Sequence, residues 1–466
     1  MSEETPLGWS CRSLDSVASA CLGKMLDRSK NRGEPQPYLR NINVRWFGFD
    51  LSNLLTMRFE SDERDRFGVR LGDVMICEGG EPGRAAVWRE TRPMLFQKAV
   101  HRVRCGAELD PDFLVFQLRH HADSGSLGAG FTGSTIKHLT GRALKSHVLV
   151  FPQIDEQRRI VSRLRDLHDR ARRAREALAD VPQLADRLRQ SVLDAALRGD
   201  LTSAWRDAHP DTEPASALLE RVRMERRRRL ELAPRRTANT SSPPIDADAE
   251  ELPELPATWT WVRVDELFWD AGYGTSQRCT PDGAGPPVLR IPNVAGRALD
   301  LGDLKYATDP ISLDPTGAVT AGDFLFVRTN GSRDLIGRGC YVKHDLPREH
   351  HFASYLIRMR LVPVGVLGEW LSLMWCGPHG RRQILAESKS SAGQFNLSLS
   401  AARRFLFPLP PEEEMKEAVV AANRLIRSAE ALMEVHRRVG DDLDVLSRSI
   451  LAKAFRGELA TSSVER

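Results

Sequence analysis

The residue types that perform catalysis or bind metals occur in this chain, but their spacing suits neither task. Two histidine pairs, His120–His121 and His350–His351, lack a third nearby ligand, so we expect them at the surface or facing a partner. The segment GAGFTG at 128–133 matches the glycine spacing of a dinucleotide site, yet it follows a polar segment instead of an apolar strand, and we interpret it as a flexible loop. The sequence has no GxxxxGK(S/T) phosphate loop and no HExxH zinc motif. It therefore predicts no catalytic or metal site and favours a recognition or scaffolding protein.

The composition is typical of a globular protein with several domains. The chain has 466 residues, of which 41% are hydrophobic and 28% are charged, and this length suggests two to four domains of about 100–200 residues each. No apolar run of about 18 residues is present, and the N-terminus, MSEETPLGWS, is polar and acidic, unlike a signal peptide. The formal net charge of +4 does not by itself indicate a nucleic-acid-binding protein. We expect a cytoplasmic protein.

An internal repeat organises the chain. The segment SVLDAALRGDL at 191–201 recurs as SILAKAFRGEL at 449–459. Further pairs follow in the same order: Trp9 with Trp259, Gly72-Asp73 with Gly322-Asp323, and Phe151-Pro152 with Phe407-Pro408. The matched residues keep nearly the same spacing in sequence over half of the chain. This constant spacing indicates an internal duplication rather than coincidence.

Each half consists of a globular part followed by a helical part. The globular parts contain short apolar runs such as VMI, FLFV and HVLVF between turn signals, which predict mostly β-structure. After each Phe-Pro the apolar spacing becomes 4-3-4-3-4, which is the heptad seam of a coiled coil. The seam residues are Ile160, Leu164, Leu167, Ala171, Ala174 and Leu178 in the first half, and Met415, Val419, Ala422, Ile426, Ala429 and Met433 in the second.

Proline, glycine and Arg-Gly positions indicate where the helices begin, bend and end. Pro152 and Pro408 suit helix entry, whereas Pro182 and the aligned Gly440 predict a kink or restart in both helices. Arg198-Gly199 and Arg456-Gly457 are C-terminal helix signals. Between the halves, residues 207–256 predict a basic helix, whose run Arg226–Arg229 we expect to form a solvated face, and a flexible linker rich in Ser, Pro and acids.

Several segments, spread over nearly the whole chain, resemble the specificity subunit of type I restriction-modification systems. FPQIDEQRRIVSRL at 151–164 resembles the family's Pro-x-x-x-Glu-Gln-x-x-Ile opening of its central conserved helix, and SVLDAALRGDLTSAWR at 191–206 resembles the end of that helix. LPATWTWVRVDEL at 255–267 resembles the entry to the second recognition domain, and GWSCRSLDSVA at 8–18 is a weaker version of the first entry. The second helix departs from the pattern, because PLPPEEEMKEAV lacks the Gln-x-x-Ile of the first copy.

The resemblance implies an α+β fold: two globular, mostly-β target recognition domains separated by two long antiparallel coiled-coil spacer helices, with an internal pseudo-two-fold repeat. A spacer of about 26 residues would be about 39 Å long, which exceeds one DNA turn of about 34–36 Å. The implied domains are residues 1–152 (target recognition domain 1), 153–206 (central conserved spacer helix), 207–256 (basic helix and flexible linker), 257–408 (target recognition domain 2) and 409–466 (distal conserved spacer helix).

The resemblance also implies a function and partners. The chain would be a non-catalytic DNA sequence-specificity subunit that recognises a bipartite, asymmetric site in double-stranded DNA. Its protein partners would be two methyltransferase subunits and restriction-translocase subunits. S-adenosylmethionine, ATP and Mg would belong to those partners, with no cofactor on this chain. The alternative is a non-enzymatic coiled-coil scaffold whose heads bind proteins rather than DNA.

Candidate DNA contacts are polar side chains in loops of the two globular parts, because Arg, Asn, Gln and Lys bind base edges and phosphates. Repeated pairs such as Arg40/Arg290 and Asn43/Asn293 have a structural alternative, since identical residues cannot encode two different half-sites. The non-matching loops 78–84 and 329–335 are better candidates for specificity. Arg198 and Arg456 are expected to cap their helices or also to bind the methyltransferase subunits. The full candidate set is Arg40, Asn41, Asn43, Arg84, Lys98 and Lys137 in the first half, and Arg290, Asn293, Arg328, Asn330, Arg333 and Gln394 in the second.

Overall fold

The structure, a computed structural model, describes residues 5–27, 29–132, 137–232, 252–308, 317–391 and 393–459. The chain forms two compact units: the first combines Met1–Ala179 with His436–Arg466, and the second contains Asp180–Val435. We call the β-rich parts, residues 5–152 and 252–409, the first head and the second head. Each unit therefore combines one head with helical segments from two distant parts of the sequence.

The first unit contains a mixed set of short strands and helices that ends in a long helix. Its elements are β1 (Ser10–Ser13), α1 (Leu14–Val17), β2 (Ala18–Leu22), β3 (Glu34–Leu39), β4 (Val44–Arg45), β5 (Gly48–Phe49), β6 (Leu55–Phe59), α2 (Glu63–Phe67), β7 (Gly68–Val69), β8 (Val74–Cys77), β9 (Ala85–Val87), β10 (Met94–Phe96), β11 (Val100–Cys105), α3 (Pro111–Asp123), β12 (Phe131–Thr132), β13 (His138–Leu139), α4 (Gly141–Ser146), β14 (Val148–Phe151) and α5 (Ile154–Leu178).

The second unit begins with helices and continues with a second set of strands. Its elements are α6 (Val181–Arg198), α7 (Ser203–Ala208), α8 (Ala215–Leu232), β15 (Thr260–Arg263), β16 (Phe268–Tyr273), β17 (Cys279–Thr280), β18 (Pro287–Leu289), α9 (Ile291–Val294), β19 (Lys305–Ala307), β20 (Asp323–Val327), β21 (Thr329–Asn330), β22 (Gly339–Tyr341), β23 (His351–Phe352), β24 (Leu356–Leu361), α10 (Leu367–Cys376), α11 (Pro378–Glu387), β25 (Lys389–Ser391), β26 (Gln394–Asn396), α12 (Leu399–Arg403), β27 (Leu406–Leu409) and the start of α13 (Glu412–Phe455).

The strand order confirms the predicted repeat. The first head has an antiparallel sheet of order β2-β11-β8-β9, and the second head has the matching order β16-β24-β20-β22. A second sheet in each head contains one parallel pair, β3 with β10 and β18 with β23. The central strands β8 and β20 are buried along their whole length, as expected for their apolar runs Val74–Cys77 and Phe324–Val327, and the buried Asp323 at the start of β20 pairs with Arg360. The fold is therefore the predicted α+β class.

Only one of the two predicted helix interruptions is present. The first helix stops after Leu178, and α6 restarts with Pro182 in its first turn. By contrast, α13 continues through Gly440 without a break, so the prediction of a kink there is wrong. Proline removes a backbone donor and clashes with the preceding turn, whereas glycine keeps its N–H and costs a helix only about 1 kcal/mol.

The helices pair in antiparallel fashion within each unit. In the first unit, Leu164 and Leu451 belong to one core, and Arg175 forms an ion pair of 2.6 Å with Asp444. In the second unit, Thr202 donates a hydrogen bond of 2.8 Å to Glu414, while Arg189 and Glu430 line one cavity. In both units the residue numbers rise along one helix where they fall along its partner, so the two helices run in opposite directions.

The heptad seam is buried along part of its predicted length. Ile160 and Leu164 are buried in α5, and the five seam residues from Met415 to Ala429 are buried in α13. Leu167, Ala171, Ala174 and Leu178 are only half-buried, and Met433 is 37% exposed. The seam therefore packs tightly near the heads and opens further along the helices.

The basic helix α8 packs on the second unit through Leu218, Leu219 and Val222. Its arginine run has partners within the chain: Arg226 donates to the Phe268 carbonyl (2.9 Å), and Glu225 accepts from Arg228 and Arg229 (2.7 Å each). The flexible linker that the sequence predicts lies mostly at 233–251, outside the described residues. Among the described helices, none is sufficiently long and apolar to cross a membrane.

Candidate nucleic-acid interface

A shared hydrogen-bond network holds one loop of each head. In the first head, the Asn43 Oδ1 accepts from the Arg40 backbone N–H (3.0 Å), and its Nδ2 donates to the carbonyls of Asp50 (2.9 Å) and Asn53 (3.1 Å). The Arg40 guanidinium donates to the Asn53 carbonyl. Asn43 is only 2% exposed, and both its amide donors and its amide oxygen are in use.

The second head repeats this network. The Asn293 Oδ1 accepts from the Arg290 backbone N–H (2.8 Å), and its Nδ2 donates to the carbonyls of Asp300 (2.9 Å) and Asp303 (3.0 Å). Arg290 also pairs with the Asp303 carboxylate at 2.8 Å. Asn293 is 1% exposed. Burial and saturated hydrogen bonding favour the structural alternative for Asn43 and Asn293, and their contact with DNA stays a prediction.

The loop 78–84 brings two further candidates of the first head together. Arg84 donates to the Asn41 carbonyl (2.9 Å) and to Glu81 (2.7 Å), and the Asn41 amide donates to the Gly79 carbonyl (3.1 Å). Trp46 donates from its indole N–H to the Glu81 carboxylate (2.7 Å). The Arg84 guanidinium thus stabilises the loop, and fewer of its N–H donors are available to DNA than its charge suggests.

Lys98 and Lys137 are exposed, and their chain neighbours contact the same loop. The Glu78 backbone N–H donates to the Ala99 carbonyl (2.9 Å), and the Leu139 N–H donates to the Glu78 carbonyl (2.8 Å). Gly79 forms a β-bridge with His138. The structure therefore gathers the loop 78–84, Lys98 and the strand β13 at one edge of the first head.

The corresponding edge of the second head has a longer loop. The Cys77 N–H bonds to the Arg84 carbonyl (2.8 Å) at the base of the first loop, and the Val327 N–H bonds in the same way to the Arg338 carbonyl (2.8 Å). Within the longer loop, Thr329 and Asn330 form β21, which joins β26 and β25 in a three-stranded sheet. The base of the loop is thus conserved between the heads while its content differs.

Four of the second-head candidates lie in the longer loop or in this small sheet. Gln394 is exposed at the start of β26, and Arg333 is exposed in the loop, where its carbonyl accepts from Arg381 (2.7 Å). The Asn330 side chain is used locally, because its Oδ1 accepts from the Ser332 N–H (2.7 Å). Arg328 lies with its guanidinium over the Tyr273 ring, 4.7 Å from the ring centroid.

Sequence reasoning missed three residues at these edges. Trp46 and His138 contact the loop 78–84, and Tyr273 lies beneath Arg328. Each is distant in sequence from the loop that it contacts. No local pattern connects such residues, so the sequence carried no signal for them.

Three of the four paired histidines, His120, His350 and His351, are buried, and His121 is half-buried, contrary to the surface position that their polarity suggested. His120 stacks on Phe455 with ring centroids 5.2 Å apart, and His350 and His351 are both buried. His121 Nδ1 lies 2.8 Å from His147 Nε2, and burial lowers the pKa of His121 to about 3. Within the part of the chain that the structure describes, no group of three or more His, Cys, Asp or Glu side chains is placed to hold a metal ion.

The repeated Arg-Gly phrases end their helices in the same way. Gly199 and Gly457 adopt left-handed backbone conformations, with φ of 76° and 78°, which glycine tolerates without strain. Arg198 pairs with Asp200 (2.9 Å), and Arg456 pairs with Glu458 (2.7 Å). Both arginines are about half exposed and form a local ion pair just past the helix end. Their binding to partner subunits stays a prediction.

Known proteins of one kind match the chain over its length. The EcoKI specificity subunit of the type I restriction enzyme from Escherichia coli K12 is 25% identical over 97% of this chain and 90% of its own length. The StySPI specificity subunit from Salmonella potsdam is 21% identical over 97% of this chain and 90% of its own length. No protein-family model matches the chain.

Two solved structures share the fold. A chain from a study of complex assembly and conformational transition of the type I R-M system superposes with a TM-score of 0.65 and 18% identity, over 98% of this chain and 99% of that one. The HsdS subunit from Thermoanaerobacter tengcongensis gives a TM-score of 0.52 and 17% identity, over 98% of both chains. Together with the duplicated heads and paired helices, these similarities show that the chain has the fold of the specificity subunits of type I restriction-modification systems and resembles them in sequence over nearly its whole length.

Proposed function

We propose that this chain selects the DNA sequence for a type I restriction-modification complex and is itself non-catalytic. Residues 1–152 and 257–408 act as two target recognition domains, and each reads one half of a bipartite, asymmetric site. Residues 153–206 and 409–466 act as spacers, and 207–256 as the connection. The observation that carries this proposal is the contrast between the two heads: Arg40/Asn43 and Arg290/Asn293 repeat one framework, whereas loops 78–84 and 328–338 differ in length and chemistry.

The contrast has a direct consequence for recognition. A common framework presents both heads to DNA in the same manner, because backbone geometry and phosphate contacts set the orientation of a protein on the duplex. Different side chains at the edges then read different bases, since each base pair presents its own donors and acceptors in the major groove. Two similar heads with different edges therefore recognise two unlike half-sites.

The helices set the distance between the half-sites. At 1.5 Å per residue, α5 with its 25 residues is about 38 Å long, which exceeds one DNA turn of about 34–36 Å. We expect a stretch of unread base pairs between the two recognised blocks. Shortening both helices by whole turns should shorten that stretch.

Two methyltransferase subunits bind the chain, one for each repeat, and restriction-translocase subunits join them. In support, α13 exposes apolar side chains to solvent, namely Val420, Leu432, Val435, Val445 and Leu446. Exposed apolar surface of this kind is typical of protein-binding surfaces. Arg198 and Arg456, with their ion pairs at equivalent helix ends, are the polar candidates for the same contacts. S-adenosylmethionine, ATP and Mg bind to the partners.

Genome-wide mapping of adenine methylation, with and without this gene, tests the proposal. We expect one methylated motif made of two separated blocks to disappear on deletion. Exchanging residues 1–152 for the equivalent head of a relative should change one block and leave the other intact. Binding of the complex to the motif should weaken steeply with salt, because phosphate contacts release counterions. An unchanged methylation map together with salt-insensitive binding would favour the protein-binding scaffold.

A further inference from the structure

The two heads place opposite charges at one equivalent position. Glu78 follows the buried strand β8 in the first head, and Arg328 follows β20 in the second. Their backbones make the same two bonds: the N–H groups donate to Ala99 and Tyr355 (2.9 Å each), and the carbonyls accept from Leu139 and Leu397 (2.8 Å each). At this position the backbone is thus held in the same way in both heads, and the side chain is what differs.

Arg328 differs from Arg40, Arg84 and Arg290 in what holds its guanidinium group. The guanidinium groups of Arg40, Arg84 and Arg290 are engaged by carbonyl or carboxylate oxygens. Among the described residues, no carboxylate pairs with Arg328, and its one side-chain hydrogen bond is a long contact of 3.4 Å to the Ser354 carbonyl. Most of its five N–H donors therefore remain available for a ligand.

Tyr273 supplies a platform in place of a carboxylate. Its ring is 53% exposed, and the Arg328 guanidinium lies 4.7 Å from its centroid. A guanidinium over an aromatic face is attracted by the ring quadrupole and loses side-chain freedom without using its donors. In the sheet, Tyr273 is opposite Ile357, and the equivalent position in the first head, opposite His101, is Leu22. The second head therefore has an aromatic ring next to Arg328, whereas the first head has Leu22 at the equivalent position near Glu78.

We propose that Arg328 binds a guanine in the half-site of the second head and that Tyr273 is the positioning residue that orients it. Two parallel N–H groups of a guanidinium match the O6 and N7 acceptors of guanine in the major groove, which is the commonest specific arginine contact with DNA. Glu78 cannot make this contact, because a carboxylate offers acceptors only. The inference rests on the proposed DNA-recognition function and adds which head, which residues and which base.

The test uses the complex of this chain with its methyltransferase partner and a panel of duplexes. Each duplex carries one base-pair change in the motif found by methylation mapping, and binding is measured for wild type, Arg328→Ala, Tyr273→Ala and Tyr273→Phe. We expect wild type to prefer guanine by about 5- to 150-fold at one position of the second-head block. Arg328→Ala should abolish that preference alone. Tyr273→Ala should reduce it by about 2- to 5-fold, whereas Tyr273→Phe should retain it because the ring is the contact.

A matched control is available in the same head. Arg348 lies over the Tyr306 ring at 5.2 Å, so Tyr306→Ala removes an arginine–tyrosine pair of the same chemistry on a different strand, β19. This variant should leave every base preference unchanged. Thermal unfolding of all variants checks that the second unit still folds.

The outcomes separate the inference from the proposed function. If wild type shows no sequence-specific binding, the proposed function itself fails. If wild type binds a bipartite site but Arg328→Ala keeps all base preferences, or weakens all duplexes equally as a phosphate contact would, the guanine assignment is wrong. If Tyr273→Ala behaves like Tyr306→Ala while Arg328→Ala removes the preference, the positioning role of Tyr273 is wrong.

Discussion

Replacing Glu414 with alanine tests how the second head is attached to the helices. Glu414 lies in the first turn of α13 and is fully buried, with 0% exposure. Its carboxylate accepts hydrogen bonds from the Thr202 hydroxyl (2.8 Å), the Arg206 Nε (3.2 Å) and the Trp259 indole N–H (2.9 Å). These three donors come from the segment after α6 and from the entry to the second head. One side chain thus joins three distant parts of the second unit.

The expected loss of stability follows from these contacts. The alanine variant leaves three donors without their acceptor, and one of them is the largely buried Arg206 guanidinium. Removing one member of a buried ion pair typically costs 3–5 kcal/mol, and a hydrogen bond to a charged group contributes about 1.5–3 kcal/mol. We therefore expect Glu414→Ala to lower the free energy of unfolding of the second unit by about 4 kcal/mol. Glu414→Gln, which keeps the shape and one acceptor, should lose about half of that.

Urea denaturation followed by tryptophan fluorescence measures this effect, because Trp259 reports on the same site. The matched control is Glu413→Ala, since the neighbouring Glu413 side chain is 64% exposed and, within the described part of the chain, forms its ion pair with Lys416. An exposed pair of this kind contributes at most about 1 kcal/mol. If Glu414→Ala and Glu413→Ala differ by less than about 1 kcal/mol, the buried carboxylate does not hold the second unit together in the way that the contacts indicate.

Three further predictions concern other parts of the fold. Burial lowers the pKa of His121 to about 3 from 6.5 and also lowers the pKa of His147. The unfolded chain therefore binds more protons than the folded chain below pH 6.5. As the pH falls, the free energy of unfolding of the first unit should decrease by up to about 1.4 kcal/mol per pH unit for each histidine. His121→Gln should flatten this slope in urea denaturation at pH 5 and pH 7, and an equal slope would refute it. Asn293→Ala should destabilise the second unit by about 2 kcal/mol without changing which bases are preferred, and an altered methylation motif with normal stability would show that Asn293 touches DNA. Leu164→Asp should destabilise the first unit by more than about 3 kcal/mol in the same denaturation assay, because it buries a charge in the α5–α13 seam, and wild-type stability would disprove that packing.

Much of the architecture could be predicted from local patterns. The Arg-Gly phrases mark helix ends because glycine at the left-handed position is a property of one residue. The heptad spacing and the buried runs of β8 and β20 follow from side-chain periodicity. Such signals depend on neighbours within a few residues, which is why the repeat, the long helices and the α+β class were accessible before any coordinates.

The failures share a different cause. Gly440 resembles a helix breaker in an alignment with Pro182, but a single glycine costs a helix only about 1 kcal/mol, which the long helix α13 absorbs. Asn43 and Asn293 have the chemistry of base-binding residues, yet the backbone of their own loops uses it: carbonyls accept from their amide N–H groups, and the Arg40 and Arg290 N–H groups donate to their amide oxygens. Residue type predicts what a side chain is able to bind and does not reveal what it already binds.

The sequence by itself determined that this protein is a duplicated chain with two β-rich heads, paired spacer helices and the motifs of a specificity subunit. Only the tertiary structure decided which of the candidate side chains are already engaged within the chain. Arg328 and Tyr273 meet because the pairing of β16, β24 and β20 places the ends of distant strands together. That contact depends on sheet register across dozens of residues, and no local pattern of the sequence encodes it.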